Sequence, residues 1–236
     1  MRLIDFHHDW RYCHLGEEDW KSITLPHDAM LSEERMDDAP GGTNTGFFAG
    51  RDYVYEKEFT APEDAAYLAF EGVYHHAEVI LDGKSMPAHP NGYFGFRIPV
   101  GAGRHTIQVI AHNAEQPNSR WYSGAGIYRP VRLVCLPTGH ILPESILVKT
   151  LDYVSRRISV SFTTSEEGQV KVEILDGGAV LSQEESSTGC VELTLPDARL
   201  WSPDDPKLYT ARLTFGEDMQ EVRFGIRTVE VDAKEG

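Results

Sequence analysis

Hydrophobic and polar residues alternate with a period of two along most of the chain. Tyr53, Tyr55 and Phe59 share one face of a segment whose other face carries Glu56 and Glu58. Ile107, Val109 and Ala111 repeat the pattern, as do Ile158, Val160 and Phe162, and then Val170, Val172 and Ile174. Val191, Leu193 and Leu195 continue it, and Val222, Phe224 and Ile226 close it. Successive side chains of an extended strand point to opposite faces, so each segment predicts a strand with one buried face. Asp82-Gly83 follows the apolar run 78–81 directly and predicts a tight hairpin. Pro and Gly interrupt the chain at short intervals, and no segment keeps an amphipathic helical period beyond about two turns. The predicted class is all-β, with the strands stacked as sandwiches.

The length of 236 residues accommodates one or two domains at roughly 150 residues each. A Pro/Gly break, Pro137-Thr-Gly-His-Ile-Leu-Pro143, separates two sets of strands and predicts a boundary there. Residues 1–138 form the first predicted domain and 139–236 the second, whose length and seven or so short strands suit an immunoglobulin-like sandwich. Neither part contains an internal repeat, a heptad pattern or a low-complexity tract.

Composition narrows the function classes. A formal net charge of −15 repels nucleic-acid phosphates and an anionic membrane surface, so neither is an expected partner. No apolar run reaches the roughly 18 residues of a transmembrane helix, and the N-terminus lacks the apolar core of a secretory signal. The three cysteines, Cys13, Cys135 and Cys190, cannot all pair, and none stands in a C-x-x-C spacing. Cys135 and Cys190 fall in apolar strand patterns and are expected to be small core residues. The expectation is a reduced, cytoplasmic protein without a cofactor.

The densest chemistry lies in the stretch 118–131, Asn-Ser-Arg-Trp-Tyr-Ser-Gly-Ala-Gly-Ile-Tyr-Arg-Pro-Val. Gly124 and Gly126 predict a tight, shaped loop between strands. Aromatic rings and planar guanidinium groups stack on sugar faces and fork hydrogen bonds to hydroxyls or carboxylates. Arg120 and Trp121 are therefore candidate contacts to a carbohydrate, although aromatics beside glycine turns also plug the ends of sandwiches. Arg129 is expected to brace the loop through a buried pair or a backbone contact. The chain has 37 acidic residues, but the neighbouring pairs Glu33-Glu34, Asp37-Asp38, Glu166-Glu167 and Glu184-Glu185 lie in polar stretches and predict solvated surface. His7-His8 and His75-His76 do not predict a metal site, because adjacent residues on a strand diverge to opposite faces.

Several ordered motifs resemble the N-terminal region of glycoside hydrolase family 2, which contains β-galactosidases, β-glucuronidases and β-mannosidases. They are Leu25-Pro-His-Asp28; the turn and strand 46–59; Phe70-Glu-Gly-Val-Tyr-His-His-Ala-Glu-Val-Ile-Leu-Asp-Gly83; Arg120 to Val131; Leu200-Trp-Ser-Pro-Asp-Asp-Pro-Lys-Leu-Tyr209; and Phe224-Gly-Ile-Arg-Thr-Val229. The resemblance spans nearly the whole chain. It implies a jelly-roll sugar-binding domain followed by an immunoglobulin-like domain, ahead of a (β/α)8 barrel that holds both catalytic glutamates. A barrel takes roughly 250 residues, and the chain ends at Lys234-Glu-Gly236, so the resemblance implies a piece of a longer enzyme without catalytic residues of its own. It also places Asp28, Arg120 and Trp121 at the rim of the sugar site. Arg120 stands where some relatives carry an acid that touches sugar and a bound cation. It would contact an acidic sugar or pair with Asp28. The implied parent is a retaining β-galactosidase first and a β-glucuronidase second, active on carbohydrate and assembled as a homo-oligomer. An independent carbohydrate-binding module is the competing expectation.

Overall fold

A computed structural model describes residues 1–233; Lys234, Glu235 and Gly236, on which the expected entry to a barrel falls, lie outside the described residues. The chain forms two compact units. One spans Arg2–Cys135, and the other comprises Leu136–Gly236 with Met1. The class is all-β, and the helical content of the described residues is two single turns of 3₁₀ helix, Ala29–Ser32 and Gly42–Thr45.

The first unit contains β1 (Arg2–Asp5), β2 (Trp10–His14), β3 (Lys21–Ile23), β4 (Tyr53–Ala61) and β5 (Ala65–Phe70). It continues with β6 (Glu78–Leu81), β7 (Lys84–Ser85), β8 (Phe96–Pro99), β9 (Gly103–Ala111) and β10 (Val131–Cys135). They build a six-stranded sheet in the order β3-β2-β4-β9-β6-β7 and a four-stranded sheet in the order β1-β10-β5-β8. Strand β4 pairs antiparallel with β9 so that Tyr53 faces Ala111, Tyr55 faces Val109 and Lys57 faces Ile107. Tyr53, Tyr55, Ile107 and Val109 from the larger sheet share one buried core with Leu68, Phe70, Ile98 and Leu133 from the smaller. This jelly-roll sandwich removes the alternating apolar faces from water, which is the main force holding it together.

The second unit contains β11 (Leu147–Asp152), β12 (Arg157–Ser161), β13 (Val170–Asp176), β14 (Ala179–Ser186), β15 (Cys190–Thr194), β16 (Tyr209–Phe215) and β17 (Asp218–Phe224). Its sheets run β11-β12-β15 and β14-β13-β16-β17, an immunoglobulin-like sandwich. Ile158, Val160, Val191 and Leu193 meet Val172, Ile174, Ala211 and Leu213 in its core.

Cys190 is exposed rather than in the core, because Val191 and Leu193 take the inward positions of β15 and Cys190 the outward one. The inward face of β17 is not wholly apolar: Asp218 and Gln220 are buried there. Asp218 accepts from Ile141 N at 2.9 Å and from Gln220 Nε2 at 2.9 Å, so the buried carboxylate is hydrogen-bonded. Strand β14 is exposed along nearly its whole length, so Glu184-Glu185 are solvated, as the polar stretch predicts.

Candidate functional site

Two long connections of the first unit carry the candidate residues: 24–52, between β3 and β4, and 112–130, between β9 and β10. Backbone hydrogen bonds tie them side by side, from His27 N to Ile127 O at 2.8 Å and from Ala29 N to Ala125 O at 2.9 Å. Asp28 reinforces this seam with its side chain. Its Oδ1 caps the 3₁₀ turn by accepting from Met30 N at 3.1 Å and also accepts from Ala125 N at 2.9 Å. Its Oδ2 accepts from the Tyr122 hydroxyl at 2.6 Å. Burial, and then the hydrogen bond and negative charge of Asp28, push the Tyr122 phenol well above its ordinary range, so Tyr122 stays a donor.

The glycines of the 118–131 loop make this approach possible. Gly124 has φ +71°, and a Cβ there would lie 2.6 Å from Asp28 Oδ2. Gly126 has φ +99°, and its Cβ would lie 2.0 Å from the Tyr55 hydroxyl. Both positions therefore demand a left-handed backbone and the absence of a side chain. Tyr55 in turn lies 2.9 Å from His27 Nδ1. Burial, opposed by the charge of Asp28, lowers the His27 pKa, so the imidazole beneath the loop is neutral near pH 7.

On this seam the other two candidates stand free. Trp121 is 62% exposed and does not plug the sandwich. The plug is made instead by Ala125 and Ile127, both fully buried. Arg120 is exposed and makes no hydrogen bond or ion pair among the described residues. The alternative pairing of Arg120 with Asp28 is thus overturned: Tyr122 and two backbone amides occupy that carboxylate. Arg129 braces the neighbouring loop by donating from Nη1 to Tyr93 O at 3.1 Å, a backbone contact made at the surface rather than a buried one.

Glu33 is the acid that sequence reasoning misplaced. It is largely buried, lies 2.7 Å from His14 Nε2 and accepts from the Tyr53 hydroxyl at 3.2 Å. Its neighbour Glu34 does remain exposed. The histidine pair 75–76 also departs from expectation. It lies in the loop before β6, not on a strand, and His76 has φ +46°, which turns the two rings together with their Nδ1 atoms 2.7 Å apart. One nitrogen donates and the other accepts. Among the described residues no group of three or more His, Cys, Asp or Glu is arranged to hold a metal ion.

Tyr122, as the partner of Asp28, was missed because nothing local in the sequence links positions 28 and 122. Tyr93 and Phe94 were missed as well, although the run Asn91-Gly-Tyr-Phe-Gly95, an aromatic pair between glycines, carried a signal. An open groove of about 690 Å³ along β2, β3 and β4, lined by His8, Asp9, Arg11, Ser22, Glu56 and Lys57, contains none of the candidates.

The profile of the glycosyl hydrolases family 2 matches residues 146–227. The chain is 30% identical to a putative β-glucuronidase of Formosa agariphila, over 91% of its own length and 23% of that protein's. It is also 30% identical to a β-galactosidase of Bacteroides ovatus, over 98% of its own length and 32% of that protein's. A β-glycosidase structure from Bacteroides vulgatus superposes with a TM-score of 0.84 at 26% identity, covering 98% of this chain and 34% of that one. The chain thus spans about a quarter to a third of the length of these relatives. Among the described residues no helix is long and apolar enough to cross a membrane.

Proposed function

Because this chain belongs to glycosyl hydrolase family 2, we propose that its loop cluster forms the rim of the sugar site of a retaining exo-β-glycosidase. In this reading the chain supplies substrate contacts and scaffold, and the two catalytic carboxyl groups come from outside it. The supporting observation is the Asp28 seam: a carboxylate clamped by Ala125 N, Met30 N and Tyr122 fixes the loop that presents Arg120 and Trp121 to solvent. A carboxylate has about four lone-pair sites, and three are in use, so Oδ2 of Asp28 retains one for a sugar hydroxyl. Trp121 offers a ring face to the apolar side of a pyranose.

The first choice of substrate is a β-galactoside. A β-glucuronide is second, and the exposed Arg120 with no acidic partner among the described residues favours it, since a guanidinium binds a sugar carboxylate through a bidentate fork. The relatives carry both names. The test is to express the complete open reading frame and compare kcat/KM on aryl β-galactoside, β-glucuronide and β-mannoside for the wild type, Asp28→Asn and Arg120→Ala. The expected outcome is a loss of about tenfold in kcat/KM for Asp28→Asn, one charged hydrogen bond's worth. A selective loss on the glucuronide in Arg120→Ala would establish the second choice. Unchanged kinetics in both variants would sink the rim assignment.

A further inference from the structure

Beside the Asp28 seam the first unit holds a group of solvent-facing aromatic rings that the reading above does not use. Phe94 is 72% exposed and Tyr93 45%; Trp121, at 62%, is on the loop whose Ser123 meets the Tyr93 hydroxyl. Exposed rings on a mobile loop would mean little, but this loop is tied down at four backbone groups. Asn91 Oδ1 accepts from Tyr93 N at 2.8 Å and from Phe94 N at 3.3 Å. The Tyr128 hydroxyl donates to Gly92 O at 2.8 Å, and Arg129 Nη1 donates to Tyr93 O at 3.1 Å. Gly92 is pressed onto Tyr74, where a Cβ would lie 2.4 Å from the ring, and Gly95 onto Phe70 O, where a Cβ would lie 2.8 Å away. Gly92 is buried, whereas Gly95 is exposed but lies tight against the backbone of β5. The loop holds Tyr93 and Phe94 outward.

The rings are interleaved with hydroxyls. The Tyr93 hydroxyl and Ser123 Oγ are 3.3 Å apart, and Ser123 Oγ donates to Ser119 Oγ at 2.8 Å. Hydrogen bonding to Ser123, against partial burial, lowers the Tyr93 phenol below its ordinary value. Tyr122, one residue beyond Trp121, runs the strip on to Asp28. Ring faces bordered by hydroxyl donors and acceptors match a pyranose, which has an apolar C–H face and a polar rim.

We propose that Trp121, Tyr93 and Phe94 form a stacking platform for a second sugar unit, so that the site takes β-linked oligosaccharides in preference to single sugars. The proposal rests on the sugar-rim reading of Asp28 and names the substrate class of that site. Stacking on C–H faces tolerates different hydroxyl configurations, so the platform selects for chain length and leaves sugar identity to the groups around Asp28.

The test uses the 236-residue chain and two probes, galactose and β-1,4-galactotriose, titrated by calorimetry with amide chemical shifts followed in parallel. The trisaccharide is expected to bind about tenfold more tightly than the monosaccharide, with shifts centred on 91–95 and 119–123. Phe94→Ala and Trp121→Ala are each expected to weaken trisaccharide binding about fivefold, while Phe94→Tyr restores it and Val180→Ala, an exposed change on β14, leaves it alone. Equal binding of the two probes, or full affinity in both alanine variants, overturns the platform. Its failure is separable from failure of the rim reading. If the platform alone is wrong, Asp28→Asn still lowers turnover of short aryl glycosides. If the rim alone is wrong, the length preference persists in the binding experiment while Asp28→Asn keeps full activity.

Discussion

At the scale of single residues, the loop 118–131 is shaped by what its glycines leave out. Gly126→Ala would drive a methyl group into the Tyr55 hydroxyl while forcing a left-handed alanine, and it is expected to cost about 3 kcal/mol in urea unfolding of the first unit. Gly42→Ala, in the same unit, is the control: its φ is +49° with nothing within 4 Å, so only the backbone penalty of about 1 kcal/mol remains. Equal costs at the two positions would refute the contact with Tyr55. Asp28 provides a second measurement. Asp28→Ala strips the acceptor from the Met30 and Ala125 amides and is expected to cost about 2 kcal/mol, whereas Asp28→Asn keeps an acceptor oxygen and costs about half as much. An alanine variant as stable as the wild type would show that the clamp contributes nothing. The sequence made Gly124, Gly126 and Asp28 visible as residue types suited to turns. It could not show that they meet, because the contact joins positions 94 to 97 apart in the chain. Glu33 was obscured for the same reason: its polar sequence neighbours suggested solvent, while its partners His14 and Tyr53 come from strands β2 and β4.

At the scale of elements, the strands were legible because burial of one face writes a period of two directly into the sequence. Ile107, Val109, Val160, Val172 and Ile174 are all fully buried where the alternation placed them. The hairpin at Asp82-Gly83 was equally legible: β6 ends at Leu81, β7 begins at Lys84, and the two turn residues have φ +51° and +77°. What the pattern could not convey is that Asp82 reaches across to β9. Its Oδ1 accepts from Thr106 N at 2.9 Å, and its Oδ2 lies 2.8 Å from His105 Nδ1. The His105 hydrogen bond holds the Asp82 carboxyl below its usual range, and the same bond raises the His105 pKa. The raised histidine contributes stability that is complete below its unfolded pKa of about 6.5 and is lost as pH rises through the folded value. The depressed carboxyl contributes stability that is complete above about 3.9 and is lost as pH falls through its folded value. Their joint contribution therefore peaks between about pH 4 and 6.5. Asp82→Asn keeps the left-handed turn and an acceptor for Thr106 but removes the charge. The difference in urea midpoint between wild type and this variant is expected to be largest near about pH 5.5 and to shrink by about pH 8.5. A difference that is flat across this range would assign the contact to shape alone.

At the scale of the whole molecule, the issue is whether these units can catalyse by themselves. Retaining hydrolysis of a glycoside needs two carboxyl groups about 5–5.5 Å apart, one of them protonated at working pH to act as the acid. A carboxyl stays protonated when burial or a like charge raises its pKa. The carboxyls that this chain's environments shift run the other way. Asp52 is lowered by His112 and the Ala114 and Asn113 amides despite its burial, Glu56 by Arg11 and Gln108 despite its burial, and Asp82 by His105. Asp64 beside Arg2 and Asp152 beside Ser155 are lowered as well. These carboxyls are held as anions by hydrogen bonds that stabilise the sandwiches, which makes them poor proton donors to a leaving group. The 236-residue chain alone is therefore expected to release no phenolate above the blank from aryl β-galactoside or β-glucuronide at any pH from about 4 to 8. Turnover that disappears in Glu33→Gln, the most enclosed acid near the Asp28 seam, would reverse this conclusion and move the catalytic centre into the first unit. Turnover that survives Glu33→Gln and Asp28→Asn would point to a contaminating enzyme, and repurification from a strain without β-glycosidases would remove it. The same purified chain carries the saccharide titration, so one preparation separates holding a sugar from cutting it. Binding without turnover is the combination expected of a rim that positions substrate for carboxyl groups supplied from elsewhere.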